Sequence, residues 1–236
     1  MSGEVGPSGV FLWVDRLPES DRREAAIRLK RGEVISEKLQ TADPSGNFFT
    51  PGALIHHWIG TVFISGVSLR QVLALVQDYD HHYRYYSPEV VKSKILEHKS
   101  NDFKVYLRLK KKKVVTVVLD TEYQVHYHTL DATRAFSESY STRIAEISHP
   151  DEPGERASPE GQGEGFMWRL NSYWRFAERD GGVYVQCEAI SLTRDVPAGL
   201  NWLIAPFLDS IPRESLEFTL ASTRTAVLRG GTHALQ

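Results

Sequence analysis

Residues 165–192 read GFMWRLNSYWRFAERDGGVYVQCEAISL, and they contain two long strand patterns separated by one tight turn. On both sides of Asp180-Gly181-Gly182, apolar and polar residues alternate, which is typical of two antiparallel strands joined by a hairpin. A Pro- and Gly-containing segment follows, and a helical stripe then begins near Ser210 with Leu216, Leu220, Thr223 and Val227. We therefore predict a sheet that ends in two long strands, followed by one closing helix.

The chain before this stretch is rich in strand patterns and carries few helices. The further predicted strands are Leu54–Ile64, Val90–His98, Phe103–Lys110, Val114–Leu130 and Ala135–Ile147, with one helix starting after Ser68. Runs of strands with segregated helices indicate the α+β class. We predict a curved antiparallel sheet of about six to seven strands wrapped around the long C-terminal helix. Residues 1–53 are predicted to be an N-terminal extension with one helix and an edge strand, and residues 54–236 the main domain.

Composition narrows the classes of function and partner. Of 236 residues, 41% are hydrophobic and 25% charged, with a net charge of −2, so nucleic acid is not an expected partner. Cys187 is the only cysteine, so an intrachain disulfide and a cysteine metal cage are excluded. No stretch reaches the ~20 apolar residues of a membrane-spanning helix. We expect a cytoplasmic protein if the chain is full length, and an exported one if a signal peptide has been removed.

Three segments resemble the START-like, or SRPBCC, superfamily, which includes lipid-transfer START domains, polyketide cyclases and aromatases, and the major birch pollen allergen. They are His56–Ile64 with the helix after Ser68, Gly182–Leu192 with the loop that follows, and Ser210–Leu216. The resemblance spans residues 54–228 and implies the helix-grip fold. It also implies an apolar pocket between sheet and C-terminal helix that takes lipids, sterols or polyketides. The superfamily has no universal catalytic residues, so none is carried over to this chain.

Strand alternation predicts which residues line such a pocket. A ligand site combines apolar walls with a few orienting polar groups. The predicted lining is Leu119, Thr121, Tyr123, Glu138, Tyr140, Trp168, Ser172, Trp174, Trp202, Phe207, Leu216 and Leu220. Glu138 is the most specific prediction, because a carboxylate on an apolar face has a partner or a raised pKa, unless the assumed register is wrong. The alternative interpretation is that these residues pack a solid core.

Other segments have two interpretations each. The apolar loop Pro197–Phe207 is either a gate or membrane-touching tip, or a turn folded into the core. Residues 149–165 form a long loop that is either a lid or disordered. Lys110–Lys113 is either a solvated turn or a contact for lipid headgroups. His126 and His128 share one polar face without a third ligand, so we predict neither a metal nor a cofactor.

Three hypotheses for function remain open. The first is a noncatalytic carrier or sensor whose partner is a small hydrophobic molecule or lipid, with transient membrane contact and oligomeric state left open. The second is an enzyme of the cyclase, aromatase or hydratase type that uses Glu138, Tyr140 and Tyr123, and it requires these three residues to converge on one cavity. The third is a protein-interaction module that uses the N-terminal arm and the loop at residues 150–165.

Overall fold

The structure is a computed structural model that describes residues 10–41, 52–113, 116–159, 162–194 and 210–233, with side chains as far as Gly230. The helices are α1 (Glu19–Lys30), α2 (Leu69–Val76), α3 (His82–Tyr85) and α4 (Ser210–His233). The strands are β1 (Ile35–Lys38), β2 (Ala53–Ser65), β3 (Val90–Lys99), β4 (Asp102–Lys112), β5 (Thr116–Thr129), β6 (Arg134–Ser148), β7 (Arg156–Ala157), β8 (Arg169–Arg179) and β9 (Gly182–Arg194).

The strands form one curved, unclosed antiparallel sheet in the order β1-β2-β9-β8-β6-β5-β4-β3. The short β7 pairs with the end of β6. The α+β class and the helix-grip arrangement are therefore confirmed. The described residues contain nine strands rather than six to seven, because the sheet includes β1 at its edge and the two-residue β7.

The hairpin between β8 and β9 has the geometry that its sequence predicts. Asp180 and Gly181 both adopt positive φ, +56° and +76°, which two-residue hairpins need so that their twist matches the strands. The Tyr184 hydroxyl donates to Asp180 Oδ2 at 2.8 Å and ties the turn to the start of β9. This turn sets the register between β8 and β9.

Helix α4 packs on the concave face of the sheet, chiefly on β2 and β9. Its buried residues Leu216 and Leu220 lie over Gly60 of β2. A Cβ atom at Gly60 would lie 2.8 Å from Leu220 Cδ1, so a larger residue there would push the helix off the strand. The capping box of Ser68 and Gln71 begins α2, which packs beside α4.

The N-terminal residues pack on the opposite, convex face. Their apolar cluster consists of Leu12, Val14 and Leu29 with Phe63, Ala177 and Tyr184 of the sheet. The backbone N–H of Trp13 donates to the buried Gln186 side chain at 2.6 Å, and Arg179 pairs with Asp15 at 2.6 Å. The helix and the edge strand expected in this part of the chain are thus α1 and β1. None of the helices in the described ranges is long and apolar enough to span a membrane.

Candidate functional site

A row of small residues crosses the concave face beside α4. Ala189 of β9 pairs with Ser172 of β8, and Ser172 pairs with Ser139 of β6. We call these three residues the trough. Larger residues stand at its two ends, Trp58 of β2 next to Ala189 and Val125 of β5 next to Ser139. All three trough residues are only half-buried, so the floor of the concave face is lowest and partly open here.

Aromatic and apolar residues stand along the sides of the trough. Trp174 and Leu170 flank Ser172 on β8, two residues to either side, and both are half-buried. The Trp174 ring stacks on Phe176 at a centroid distance of 6.1 Å, and its Nε1 donates to Ser172 Oγ at 3.3 Å. Trp168 precedes β8 in the same alternating phase and is also half-buried. These side chains form apolar walls that solvent still reaches.

Hydroxyl groups occupy the floor on the side of β5 and β6. Tyr123 is buried opposite Ser141, and burial raises the pKa of its phenol to about 12. Thr121 Oγ1 donates to the Leu107 carbonyl at 2.8 Å, and Ser141 Oγ accepts from the Leu170 backbone N–H at 3.0 Å. The tyrosine stays neutral and able to donate a hydrogen bond at physiological pH. The concave floor is therefore uncharged in this region.

The predicted inward orientation of Glu138 and Tyr140 is wrong. Glu138 pairs with His126 on one side and Tyr173 on the other, so it lies on the convex face, where its carboxylate is 3.9 Å from His128. Tyr140 follows on that face, with its ring edge-on to Tyr173 at 5.9 Å. The alternate residues Ser137, Ser139 and Ser141 point inward instead.

A β-bulge explains why the alternation of β6 was misread. Glu122 pairs with Arg143 but Tyr123 pairs with Ser141, so Thr142 is the extra residue. The bulge shifts the phase of the strand, and Ile144, opposite Thr121, lies on the inward face together with the serines. Without the bulge, Glu138 and Tyr140 would share the face of Ile144, which does point inward. The inward residues that the sequence did not predict are Ser137, Ser139, Ser141 and Trp58. The only sequence signal for the three serines is their spacing at every second position.

The remaining predicted lining residues fall into three groups. Leu216 and Leu220 are buried against β2 as part of the helix–sheet core. Leu119 and Thr121 are buried farther along β5. Trp202 and Phe207, with the rest of the loop Pro197–Phe207, lie outside the described residues. The structure brings Tyr123, Ser172 and Trp174 to the concave floor and leaves Trp168 at its margin.

Two contacts hold α4 to the far side of the sheet. Lys113, at the end of the β4–β5 hairpin, pairs with Glu214 in the first turns of α4 at 2.6 Å. This lysine lowers the pKa of Glu214. Toward the other end of the helix, the buried hydroxyls of Tyr86 and Thr223 are 3.1 Å apart. Two residues of the run Lys110–Lys113 therefore form ion pairs. Lys113 bridges to α4 across the edge of the concave face, and Lys111 pairs with Glu89.

The described parts of the loop at residues 149–165 are docked on the sheet. Glu155 pairs with Arg108 at 2.8 Å on the convex face, beside the partner Asp120. At the end of the loop, the Glu146 carboxylate accepts hydrogen bonds from the backbone N–H groups of residues 164, 165 and 166 at 2.7–2.8 Å. The Glu155 contact thus lies on the convex face, whereas Glu146, which pairs with Leu119, has the inward phase of β6 and holds residues 164–166 at that end of the strand.

Solved structures with the same arrangement of sheet and helix match this chain. It is similar to the STAR-related lipid transfer protein (fragment 25–204) from Xanthomonas axonopodis, with a TM-score of 0.52 and 17% identity over 81% of this chain and 98% of that one. It is also similar to the Zhui aromatase/cyclase from Streptomyces sp. R1128, with a TM-score of 0.53 and 14% identity over 75% and 95% of the two chains. The chain has a START-like fold.

The likeness to START-like proteins is one of fold. No protein-family model matches the sequence, and no curated protein matches it. These two proteins differ in function: one is a lipid transfer protein and the other is an aromatase/cyclase. The function of a START-like chain has to be argued from its own concave face.

Proposed function

We propose that this protein is a noncatalytic carrier or sensor that binds a small hydrophobic molecule or lipid between the concave face of the sheet and α4. The observation that carries the proposal is the half-buried trough between half-buried tryptophans, Trp58 and Trp174. In a protein core that holds no ligand, large side chains from neighbouring elements fill the space above small residues. Here the small residues lie next to one another on three neighbouring strands.

The side of α4 next to this region also supports a space for a ligand. Glu217 hydrogen-bonds to Ser36 of β1 at 2.6 Å, so this side of the helix faces β1. At 100° per residue, Ser215, Thr219 and Ser222 lie on the far side, toward the middle of the sheet. These three residues are short and half-buried. Both surfaces that border the proposed site therefore carry small side chains.

The proposed lining follows from these surfaces. It keeps most of the residues predicted from the sequence and adds four that the register brings to the same face. The lining is Leu119, Thr121, Tyr123, Trp168, Ser172 and Trp174, with Leu216 and Leu220 at the helix boundary and Trp58, Ser139, Ser141 and Ala189 as the additions.

The enzyme alternative is weakened by the position of its acid. That hypothesis needs Glu138, Tyr140 and Tyr123 on one cavity, but only Tyr123 is on the concave face. The pKa of Tyr123 is raised to about 12, which suits a hydrogen-bond donor better than a proton shuttle near pH 7. We therefore place binding ahead of catalysis.

The test combines ligand extraction with a variant that fills the trough. Organic extraction of purified protein followed by mass spectrometry is expected to yield an apolar ligand, and stripped protein is expected to bind N-phenyl-1-naphthylamine saturably. Ser172→Trp is expected to abolish probe binding, while Gln124→Trp, at an exposed position on the convex face of β5, leaves it unchanged. Circular dichroism checks that both variants fold. A wild-type protein that yields no ligand and binds no probe would contradict the proposal.

A further inference from the structure

Trp58 carries a buried indole N–H for which the described residues offer no acceptor. Its Nε1 atom is buried and makes no hydrogen bond within the part of the chain that the structure describes. Trp174, on the same face, differs, because its Nε1 donates to Ser172 Oγ at 3.3 Å. A buried donor without a partner is costly, and native proteins leave few of them, so the Trp58 N–H requires an explanation.

The position of Trp58 provides one. It lies on β2 opposite Ala189, at the β2 end of the trough. Two other buried polar atoms lack partners among the described residues, Thr61 Oγ1 and Arg224 Nε. Thr61 has the convex phase of β2, and Arg224 lies beside Gly32 near the other end of α4. Of the three, Trp58 alone borders the proposed ligand site.

The shape of the trough restricts the ligand further. Neighbouring strands are about 4.8 Å apart, so three small residues on β9, β8 and β6 make a floor about 10 Å long. Indole rings stand at one end and along one side, at Trp58 and Trp174. A rigid ring system of two or three fused rings fits a floor of this length between aromatic walls.

We propose that Trp58 is a specificity-determining residue that donates a hydrogen bond to an acceptor oxygen of a planar, carbonyl-bearing ring compound lying over Ala189, Ser172 and Ser139. This inference rests on the proposed function, because it assigns the ligand class of the same site. A ligand oxygen at Trp58 satisfies the buried N–H, and a hydrocarbon of the same shape leaves it unpaired. The N–H therefore discriminates between them by leaving a polar group unsatisfied with the wrong ligand.

The test compares 9-fluorenone with fluorene, two tricyclic compounds of similar shape in which a carbonyl group replaces a methylene group. Each displaces N-phenyl-1-naphthylamine from wild-type protein, from Trp58→Phe and from Trp174→Phe. The measured quantity is the ratio of the two dissociation constants in each protein, so that differences in general hydrophobicity cancel. We expect Trp58→Phe to reduce the preference for fluorenone about tenfold, the size of one hydrogen bond to a buried donor. Trp174→Phe, whose indole N–H already has a partner, is expected to keep the preference.

The outcomes separate the two proposals. An equal ratio in wild type and Trp58→Phe overturns the role of Trp58 and leaves ligand binding intact. Wild-type protein that binds neither compound nor the probe contradicts the proposed function, and the assignment with it. A second readout uses wild-type protein labelled with ¹⁵N-tryptophan: with fluorenone bound, the Trp58 Nε1–H resonance is expected downfield of its position with fluorene bound, because only fluorenone accepts a hydrogen bond. The same position with both compounds at saturation overturns the assignment.

Discussion

The polar groups on the convex and concave faces of the same strands have different partners. On the convex face, charged side chains pair with one another: Arg108 with Asp120 and Glu155, and Lys104 with Glu122. A groove of about 460 Å³ on this face is lined by Lys104 and Glu122 together with Glu97, Gln124, Thr142 and Arg143. On the concave face, β6 presents serines, the phenol of Tyr123 is neutral, and the Trp58 N–H has no partner among the residues that the structure describes. The charged groups of the convex face pair with one another, whereas the concave face presents small residues and a donor at the proposed ligand site.

The largest expected effect comes from breaking the contact between helix and sheet that bounds the concave side. Leu220→Ala removes a side chain that is 0% exposed and packs on Gly60. We expect the free energy of unfolding to fall by about 2–5 kcal/mol, as for other buried leucines. Urea denaturation measures it. Leu228→Ala on the same helix is the matched control, because Leu228 is 36% exposed and its loss should cost under about 1 kcal/mol. Equal losses in the two variants would mean that α4 does not pack through Leu220.

Acidification should lower the stability of the folded protein through the buried His82. Burial lowers the pKa of His82 to about 4, although its Nε2 bonds to the Val76 carbonyl. Its folded pKa is below the unfolded value of about 6.5, so this contribution to stability is complete above pH 6.5 and is lost as the pH falls toward 4. The loss for one histidine is up to about 3 kcal/mol over this range. Denaturation midpoints of wild type and His82→Phe between pH 7 and 4 test it, and parallel curves would contradict the prediction.

Breaking the convex ion pairs should affect stability and leave ligand binding unchanged. Arg108→Met leaves Asp120 without its cation, and we expect a loss of about 2 kcal/mol at pH 7. The pKa of Glu155 is lowered to about 2, chiefly by Arg108, so the benefit of the pairing is present above pH 4.5 and disappears as the pH falls toward 2. Denaturation at several pH values measures the difference from wild type. Loss of probe binding in a folded Arg108→Met protein would contradict the separation of the two faces.

The smallest expected effect concerns the bridge at the edge of the concave face. Lys113 and Glu214 are both about one-third exposed, so Lys113→Ala should cost under about 1 kcal/mol. The same change removes the link between the β4–β5 hairpin and α4. We expect dissociation of the naphthylamine probe to accelerate several-fold, measured by stopped-flow fluorescence. Lys112→Ala is the control, because Lys112 lies on the same hairpin with the opposite strand phase. Equal dissociation rates in both variants would show that the bridge does not slow release.

Much of the fold could be predicted from local patterns, because the alternation in the strands and the spacing of apolar residues in the last helix persist over many residues. The alternation predicts the inward phase of Ser172 and Trp174 on β8, and the structure has both on the concave face, because this strand is not interrupted. The face of β6 could not be predicted, because the bulge at Thr142 depends on pairing with β5. The docking of Glu155 on Arg108 joins residues 47 positions apart and has no periodic pattern.

Neighbouring residues of β6 face opposite sides of the sheet, and the proposed ligand lies on the side of Ser139. The most direct measurement is the affinity for N-phenyl-1-naphthylamine of Ser139→Trp and Glu138→Trp, two variants that add the same side chain one position apart. We predict that Ser139→Trp fills the trough and abolishes binding, and that Glu138→Trp, on the convex face, binds as the wild type does. Binding lost in Glu138→Trp and retained in Ser139→Trp, with both proteins folded, would contradict the account.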